Sequence, residues 1–391
     1  MARQSRIREE PVVKELTTHV GLDVCKASIQ VAALLPDGSW FESKQDNDAK
    51  GIGRLGRRLQ KESVGRIVCC YEAGVCGFAL QRALEAEGLR CLVIAPSLIP
   101  QRPGDRIKTD RRDARRLAEL LRADELTEVA PPTPEEEHVR DLCRARSDAQ
   151  TDLERARHRL SKWLLRHGLH YAGGKKAWTQ AHRRWLDGLQ IADEIGQEVL
   201  AAHRRAVTDA QERLAHLDVA LETIAGREPY ATVVGHLRCF RGIDTLTAIS
   251  VVAELHGFLR FESAPGLMAY LGLVPSEHTT AGKPNRGSIT RTGNGRVRRL
   301  LNQSAWHYRH KPAVGAALRV RRKDQPAWVV EIADQAMKRL HRRWWHLVVG
   351  RNKQTPVATV AIERELVGFI WAVMRRDAEA AAGTERSARA T

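Results

Sequence analysis

Val20-Gly-Leu-Asp-Val24, then Ser28-Ile-Gln-Val-Ala-Ala-Leu-Leu35, then the turn Pro36-Asp-Gly38 leading into Ser39-Trp-Phe-Glu42, is the stretch that decides the fold. Short apolar runs bridged by a Pro-Asp-Gly turn predict a hairpin, with strands over 18–45. Working outward, residues 48–62 are charged with spaced apolar positions and predict a helix. Arg66-Ile-Val-Cys-Cys-Tyr71 reads as a short buried strand, 77–87 as a helix, and 89–95 as a strand ended by Pro96. A loop holding Pro100, Pro103 and Gly104 opens a helix over 110–123. Three strands, helix, strand, helix, strand, helix make an α/β domain with a mixed sheet over 15–130.

Pro131-Pro-Thr-Pro-Glu135 reads as a linker. Beyond it, Val139, Leu142, Ala145, Ala149, Leu153, Ala156, Leu160 and Trp163 recur at steps of three and four. Val199, Ala206, Ala210, Leu214, Leu217, Leu221 and Ile224 form a second such run. The pair predicts an antiparallel helical hairpin or coiled coil over 136–230. Between the runs lie Trp178 and Trp185 among basic residues. They either stack on unpaired bases or cap the hairpin tip hydrophobically, and both readings stand. Residues 231–376 predict a mostly α-helical C-terminal domain. In it, Phe240-Arg-Gly-Ile-Asp244 before an apolar run resembles a helix-hairpin-helix, whose glycine turn suits phosphate contact. Residues 377–391 are polar and Ala-rich and predict a disordered tail.

The chain has 391 residues and a formal charge of +17, with Arg in pairs such as Arg111-Arg112 and Arg298-Arg299. An excess of that size favours a polyanionic partner, since each neutralised phosphate releases a counterion; the alternative is a solvated basic surface. Apolar residues at 43% and charged ones at 28% allow globular cores and exclude wholesale disorder. Seven cysteines form no Cys-x-x-Cys pair; several lie within apolar runs and read as small hydrophobes, and a reducing cytoplasm is the expected compartment. No apolar stretch reaches the roughly 18 residues of a membrane span.

Four carboxylates carry the chemistry. Asp23 lies inside an apolar strand, where a charge is costly without a partner or metal. Glu72 follows the apolar run 67–71 at a strand's end. Asp110 and Asp113, three apart at a helix start, project from one face. If the two strands are neighbours, all four acids converge. Such a set needs divalent cations, and oxygen ligands suit Mg²⁺ or Mn²⁺. Taken singly, each acid also fits a structural role as a helix-dipole partner or a surface group.

Gly21-Leu-Asp-Val-Cys-Lys26, Tyr71-Glu-Ala-Gly74 and Lys108-Thr-Asp-Arg-Arg-Asp-Ala-Arg115 resemble the motifs of the DEDD-type insertion-sequence transposases. The second half matches as well, in Ala269-Tyr-Leu-Gly-Leu-Val-Pro-Ser-Glu277, Gly282-Lys283, Arg286-Gly-Ser-Ile-Thr-Arg-Thr-Gly-Asn294, Arg298-Arg-Leu-Leu301 and Glu365-Leu-Val-Gly-Phe-Ile-Trp371. The resemblance implies a RuvC-like, ribonuclease-H-type N-terminal domain with Asp23, Glu72, Asp110 and Asp113 as catalytic metal ligands. It also implies a C-terminal transposase domain whose serine becomes covalently linked to DNA. Counting from Gly272-Leu-Val-Pro275, this chain has Thr280 at that position, a departure that keeps the hydroxyl but adds a methyl group. Thr279 and Ser276 are neighbouring hydroxyls.

Lys108, Lys283, Arg286, Arg291, Arg298 and Arg299 are expected to clamp phosphates, with Trp178 and Trp185 as further nucleic-acid contacts. The resemblance further implies double-stranded DNA as substrate and a structured guide RNA encoded by the element. Active sites shared within a homodimer or homotetramer are a hypothesis drawn from the early metal site and late nucleophile. A junction nuclease without a covalent step, or a decayed basic binding protein, are the other classes the residues allow.

Overall fold

The structure, a computed structural model, describes residues 16–100, 109–174, 176–277 and 286–390. The chain forms two compact units that part between Pro131 and Pro132, inside the expected linker.

The first unit holds strands β1 (Thr17–Val24), β2 (Ser28–Leu34), β3 (Trp40–Asp46), β4 (Arg66–Glu72) and β5 (Arg90–Ile94), with helices α1 (Ala49–Glu62), α2 (Ala79–Ala86) and α3 (Asp110–Arg122). The order in the sheet is β3-β2-β1-β4-β5. β1, β2 and β3 are antiparallel neighbours, whereas β1, β4 and β5 are parallel. The sheet is mixed, as the element order predicts, and is consistent with a ribonuclease-H-type domain.

Alternation along the strands sorts the two faces. Val20, Leu22, Ile29, Val31, Cys69, Tyr71 and Val93 form one core with Leu55 and Leu59 of α1 and Leu80 and Leu84 of α2. Cys70 and Ile94 face the other way, onto Leu117 of α3. Across that second face, Cys70, Gly21, Ala32 and Glu42 lie in one register row. Small side chains in the middle of the row let α3 settle directly on β1. A Cβ on Gly21 would stand 2.7 Å from the Ala118 nitrogen and closer still to the Ala114 carbonyl oxygen, so only glycine fits.

The second unit is mostly helical. It comprises α4 (Pro134–Arg166), α5 (Gln180–Gly188), α6 (Glu194–Ala225), α7 (Ala231–Leu237), α8 (Thr245–Glu254) and α9 (Ala264–Tyr270). A short strand pair, β6 (Pro275–Glu277) and β7 (Arg286–Ile289), follows, then α10 (Gly295–Trp306), α11 (Ala316–Arg322), α12 (Ala327–Trp345) and α13 (Thr355–Ala390). α4 starts on a capping box: Thr133 accepts from the Glu136 amide, Glu136 accepts from the Thr133 amide, and Pro134 holds the first turn.

α4 and α6 run in opposite directions along one another. Arg146 pairs with Asp218, Arg213 with Asp152, and Trp163 lies against His203. The buried seam of α6 is Leu200, Val207, Leu214 and Leu221, an unbroken seven-residue repeat. The expected Val199 and Ala206 are instead exposed, because that repeat sets the register.

A third core joins α8, α10, α12 and α13 through Ile249, Leu301, Leu340 and Leu366. α13 runs to Ala390, and on it Asp377 takes the His236 ring Nδ1 at 2.9 Å. Among the described residues, no helix is long and apolar enough to cross a membrane.

Candidate functional site

The acid set is assembled by the close contact of α3 with β1. Ala114 sits over Gly21. Two residues along the strand, about 6.6 Å, lies Asp23. Four residues back along α3, about 6 Å, lies Asp110. The two displacements match, so the helix start lands over the C-terminal end of β1. Ligand atoms of Asp23, Cys25 and Asp110 all lie within 4.8 Å of one another. They are the one such group among the described residues.

Glu72 follows Tyr71, the register partner of Leu22, and so stands beside Asp23 in the next strand. Its parity with Cys70 puts it on the α3 face, and it is exposed. Asp113 is one turn along α3 from Asp110 and half-buried. Both stand outside the 4.8 Å group. Thr109 caps α3, accepting from the Arg112 amide, and the two aspartates occupy the first turn, where the helix dipole favours negative charge.

Sequence reading missed two members of this site. Cys25 carries no role in the sequence reading, yet it is exposed and its sulfur lies near the carboxylates of Asp23 and Asp110. Desolvation, then the negative charges of Asp23 and Asp110, push its thiol above the ordinary value. The other thiols are different: Cys69, Cys70, Cys91, Cys143 and Cys239 are buried, and Cys76 is half-buried.

Glu42 is the second. It ends the register row under α3, and its carboxylate accepts from Arg115 and, at 2.5 Å, meets Arg111. Burial alone would raise its pKa, but the two guanidinium partners outweigh it and hold the carboxyl below the ordinary range. Arg115 also lies over the Trp40 ring at 5.0 Å. Two arginines of the Asp-Arg-Arg-Asp-Ala-Arg motif thus fasten α3 to the sheet.

Two carboxylates and a thiol this close, with Glu72 adjoining, have the donor chemistry of a divalent-cation site.

In the second unit, β6 and β7 pair at Pro275–Ile289 and Glu277–Arg286, and Ser276 Oγ donates to the Ser288 carbonyl at 3.2 Å. Thr280, Thr279, Lys283 and Lys108 lie outside the described residues. Arg286 opens β7. Arg298 donates to the carbonyls of Leu271, Thr292 and Arg291 at 2.8, 2.9 and 3.0 Å. That fork ties together the two ends of the β6–β7 segment, so in this structure Arg298 grips backbone. Arg299 is exposed and donates to Ser147 Oγ, and Arg291 is exposed.

Behind this segment, Glu254 is buried and accepts from Arg144 through two nitrogens at 2.8 and 3.0 Å and from Asn294 at 2.8 Å. Burial would raise its pKa, yet these hydrogen bonds hold it below the ordinary value. Asn294 in turn caps α10.

Trp178 and Trp185 are half-buried around His182, with ring centroids 5.4 Å away in each case, and Arg157 covers Trp178 at 5.1 Å. This is the packing expected of a hydrophobic cap. Gly242 has φ +82, and a Cβ there would stand 2.6 Å from the Ser304 carbonyl. Close packing on α10 therefore accounts for the glycine of the helix-hairpin-helix-like segment.

Comparison with known proteins bears on both halves. A family model described as a DEDD-type IS110 transposase matches residues 20–168. A second, described as a transposase of the IS116/IS110/IS902 family, matches residues 235–318. The chain is 39% identical over 360 residues to a Sinorhizobium fredii protein named "Putative transposase y4qE", covering 91% of this chain and 88% of that one. It is 35% identical over 340 residues to the transposase of insertion sequence element IS1533 from Leptospira borgpetersenii, covering 86% and 98%. It is 24% identical to the IS1111A transposase of Coxiella burnetii over 293 residues, covering 73% and 76%.

Proposed function

The chain belongs to the DEDD-type insertion-sequence transposases of the IS110 family, and from that premise we propose that it cuts and rejoins double-stranded DNA through a metal-binding acid set and a protein hydroxyl. The observation that carries this reading is the meeting of Asp23 and Asp110 within 4.8 Å, from positions far apart in sequence. Asp23, Glu72, Asp110 and Asp113 are the proposed metal ligands, with Mg²⁺ or Mn²⁺ as the ion. When bound, such ions stabilise charge on the attacking and leaving oxygens of a phosphodiester.

The chain's own part is to place the phosphate and supply the nucleophile. Thr280 Oγ bonds to phosphorus, the phosphorus bond to one deoxyribose oxygen breaks, and that oxygen leaves with a proton. The resulting protein–DNA ester conserves the bond energy, so a second DNA end can displace the threonine without an external energy source. Arg298 and Asn294 fix the ends of the segment that carries Thr280, while the exposed Arg291, and Arg299 on exchanging its Ser147 contact, meet phosphates.

Residues 15–130 act as the RuvC-like catalytic domain, 136–230 as a helical hairpin that contacts nucleic acid, and 231–376 as the transposase domain. In this proposal a structured RNA encoded by the element selects the DNA by base pairing, while the protein reads backbone and shape. The acids and the hydroxyl then complete one another between subunits of a dimer or tetramer.

The test uses purified protein with element-flanking RNA, Mg²⁺ and matching DNA. Mass spectrometry is expected to find a nucleotide on Thr280, lost in Asp23→Asn and in Thr280→Ala, with activity returning when the two variants are mixed. Cleavage that survives Thr280→Ala without any attached nucleotide supports a metal-dependent junction nuclease instead. Failure of wild type to cleave at all, with DNA binding indifferent to Asp23→Asn, leaves only a basic binding protein.

A further inference from the structure

Cys25 departs from an all-oxygen site in a way with chemical consequences. Its backbone is held from both sides: the amide donates to the Ser28 carbonyl at 2.9 Å, and its own carbonyl accepts from Asn47 Nδ2 at 2.8 Å. These bonds close the turn between β1 and β2 and fix the Cα beside the acids. Around a tetrahedral ion with sulfur and oxygen ligands, donor atoms stand roughly 3.4–3.6 Å apart. Asp23, Cys25 and Asp110 present their donors within 4.8 Å of one another, within about 1.4 Å of that spacing. Cys25 and Asp110 are both exposed, so packing does not prevent their side chains from closing that gap. Three protein donors leave a four-coordinate ion one position for an oxygen from outside the protein.

Hard ions such as Mg²⁺ gain little from sulfur, whereas thiolate selects Zn²⁺ and its heavier congener Cd²⁺. We propose that Cys25 is a metal ligand, and that its thiolate, with Asp23 and Asp110, binds a thiophilic divalent cation in competition with the hard ion. On binding, the sulfur–metal bond forms and the thiol proton passes to solvent. The proposal rests on the reading that Asp23 and Asp110 hold an ion. It adds a selectivity that this reading does not contain: zinc displaces the hard ion.

The full-length protein is titrated with CdCl₂ while the ultraviolet sulfur-to-cadmium charge-transfer band is followed. Mn²⁺ binding is read in parallel by electron paramagnetic resonance. Wild type and Cys76→Ser are expected to develop the band at one Cd²⁺ per chain, and ZnCl₂ to release bound Mn²⁺. Cys25→Ser is expected to lose the band and to need at least ~10-fold more Zn²⁺ for the same release. Serine is nearly isosteric at an exposed position, and an unchanged melting curve verifies the fold. A band that persists in Cys25→Ser, or that disappears in Cys76→Ser, overturns the proposal. Mn²⁺ bound by wild type and lost in Asp23→Asn, with no cadmium–thiolate band in wild type, also sinks the role of Cys25 but leaves the acid site standing. Absence of binding by either ion removes both.

Discussion

Replacing Gly21 with alanine puts a methyl group where α3 lies directly on β1. Its carbon would stand 2.7 Å from the Ala118 nitrogen and nearer still to the Ala114 carbonyl, against an ordinary contact of 3.4–4 Å. Backbone cannot swing aside as a side-chain tip can, so α3 has to retreat by on the order of 1 Å. Asp110 rides on the first turn of that helix and retreats from Asp23 with it. Overpacking of this kind costs about 1–3 kcal/mol. A misplacement of that size at a reacting centre costs about 10²-fold in rate. Gly21→Ala is therefore expected to fold with reduced stability and to cleave about a hundredfold more slowly, with weakened Mn²⁺ binding. Gly53→Ala is the control, because its Cβ meets nothing closer than Arg57 Nη1 at 3.6 Å. It lies inside α1, and removing a helix glycine stabilises by up to about 1 kcal/mol. Denaturant unfolding, Mn²⁺ titration and plasmid cleavage are measured on both. If Gly21→Ala binds Mn²⁺ and cleaves like wild type, the helix–strand contact does not set the acid spacing.

Glu42→Gln removes the charge that fastens Arg111 and Arg115, at a cost of about 1–3 kcal/mol, and should weaken metal binding without touching a ligand. Because the folded carboxyl titrates below its ordinary value of 4.5, its contribution is present above that pH and fades as pH falls through the lowered value. The stability gap between wild type and variant should accordingly close on acidification in urea titrations. Glu363 behaves oppositely: burial pushes its carboxyl up to about 7 despite the Asn302 hydrogen bond. Its stabilisation is complete below pH 4.5 and is lost as pH rises towards 7, a change of roughly 3 kcal/mol. Glu363→Gln should flatten that slope and be the more stable protein at pH 8; superimposable pH profiles would count against it. Arg298→Lys offers one ammonium where a planar fork serves three carbonyls, so amide exchange across 271–293 should accelerate and stability fall by about 1–3 kcal/mol.

The sheet was legible because β2, β4, β5 and most of β1 are apolar runs and the turn into β3 carries Pro36-Asp-Gly38. Asp23 stood out for the same reason, as a charge inside such a strand. The partners that act through space were not legible. Glu42 sits in a polar strand, where a carboxylate resembles any solvated group, and only the register row under α3 reveals its task. Cys25 lies beside an apolar run, which is also where buried cysteines lie. In α6 the sequence offers two apolar stripes one residue apart, Val199–Ala206 and Leu200–Val207, and packing against α4 chooses the second. The tryptophans near residue 180 carry two meanings in sequence, because an aromatic among basic residues suits both; His182 packs on each ring and Tyr171 on Trp185, contacts that only the folded chain brings together. Arg298 looked like its neighbours in a basic run, yet three backbone carbonyls claim it.

The uneven covering of the sulfurs has a practical side. With five thiols sealed in cores and Cys76 half covered, Cys25 is the thiol most open to a maleimide dye, although desolvation and the acids beside it disfavour its reactive thiolate. A fluorophore placed there sits at the mouth of the acidic cluster without any engineered residue.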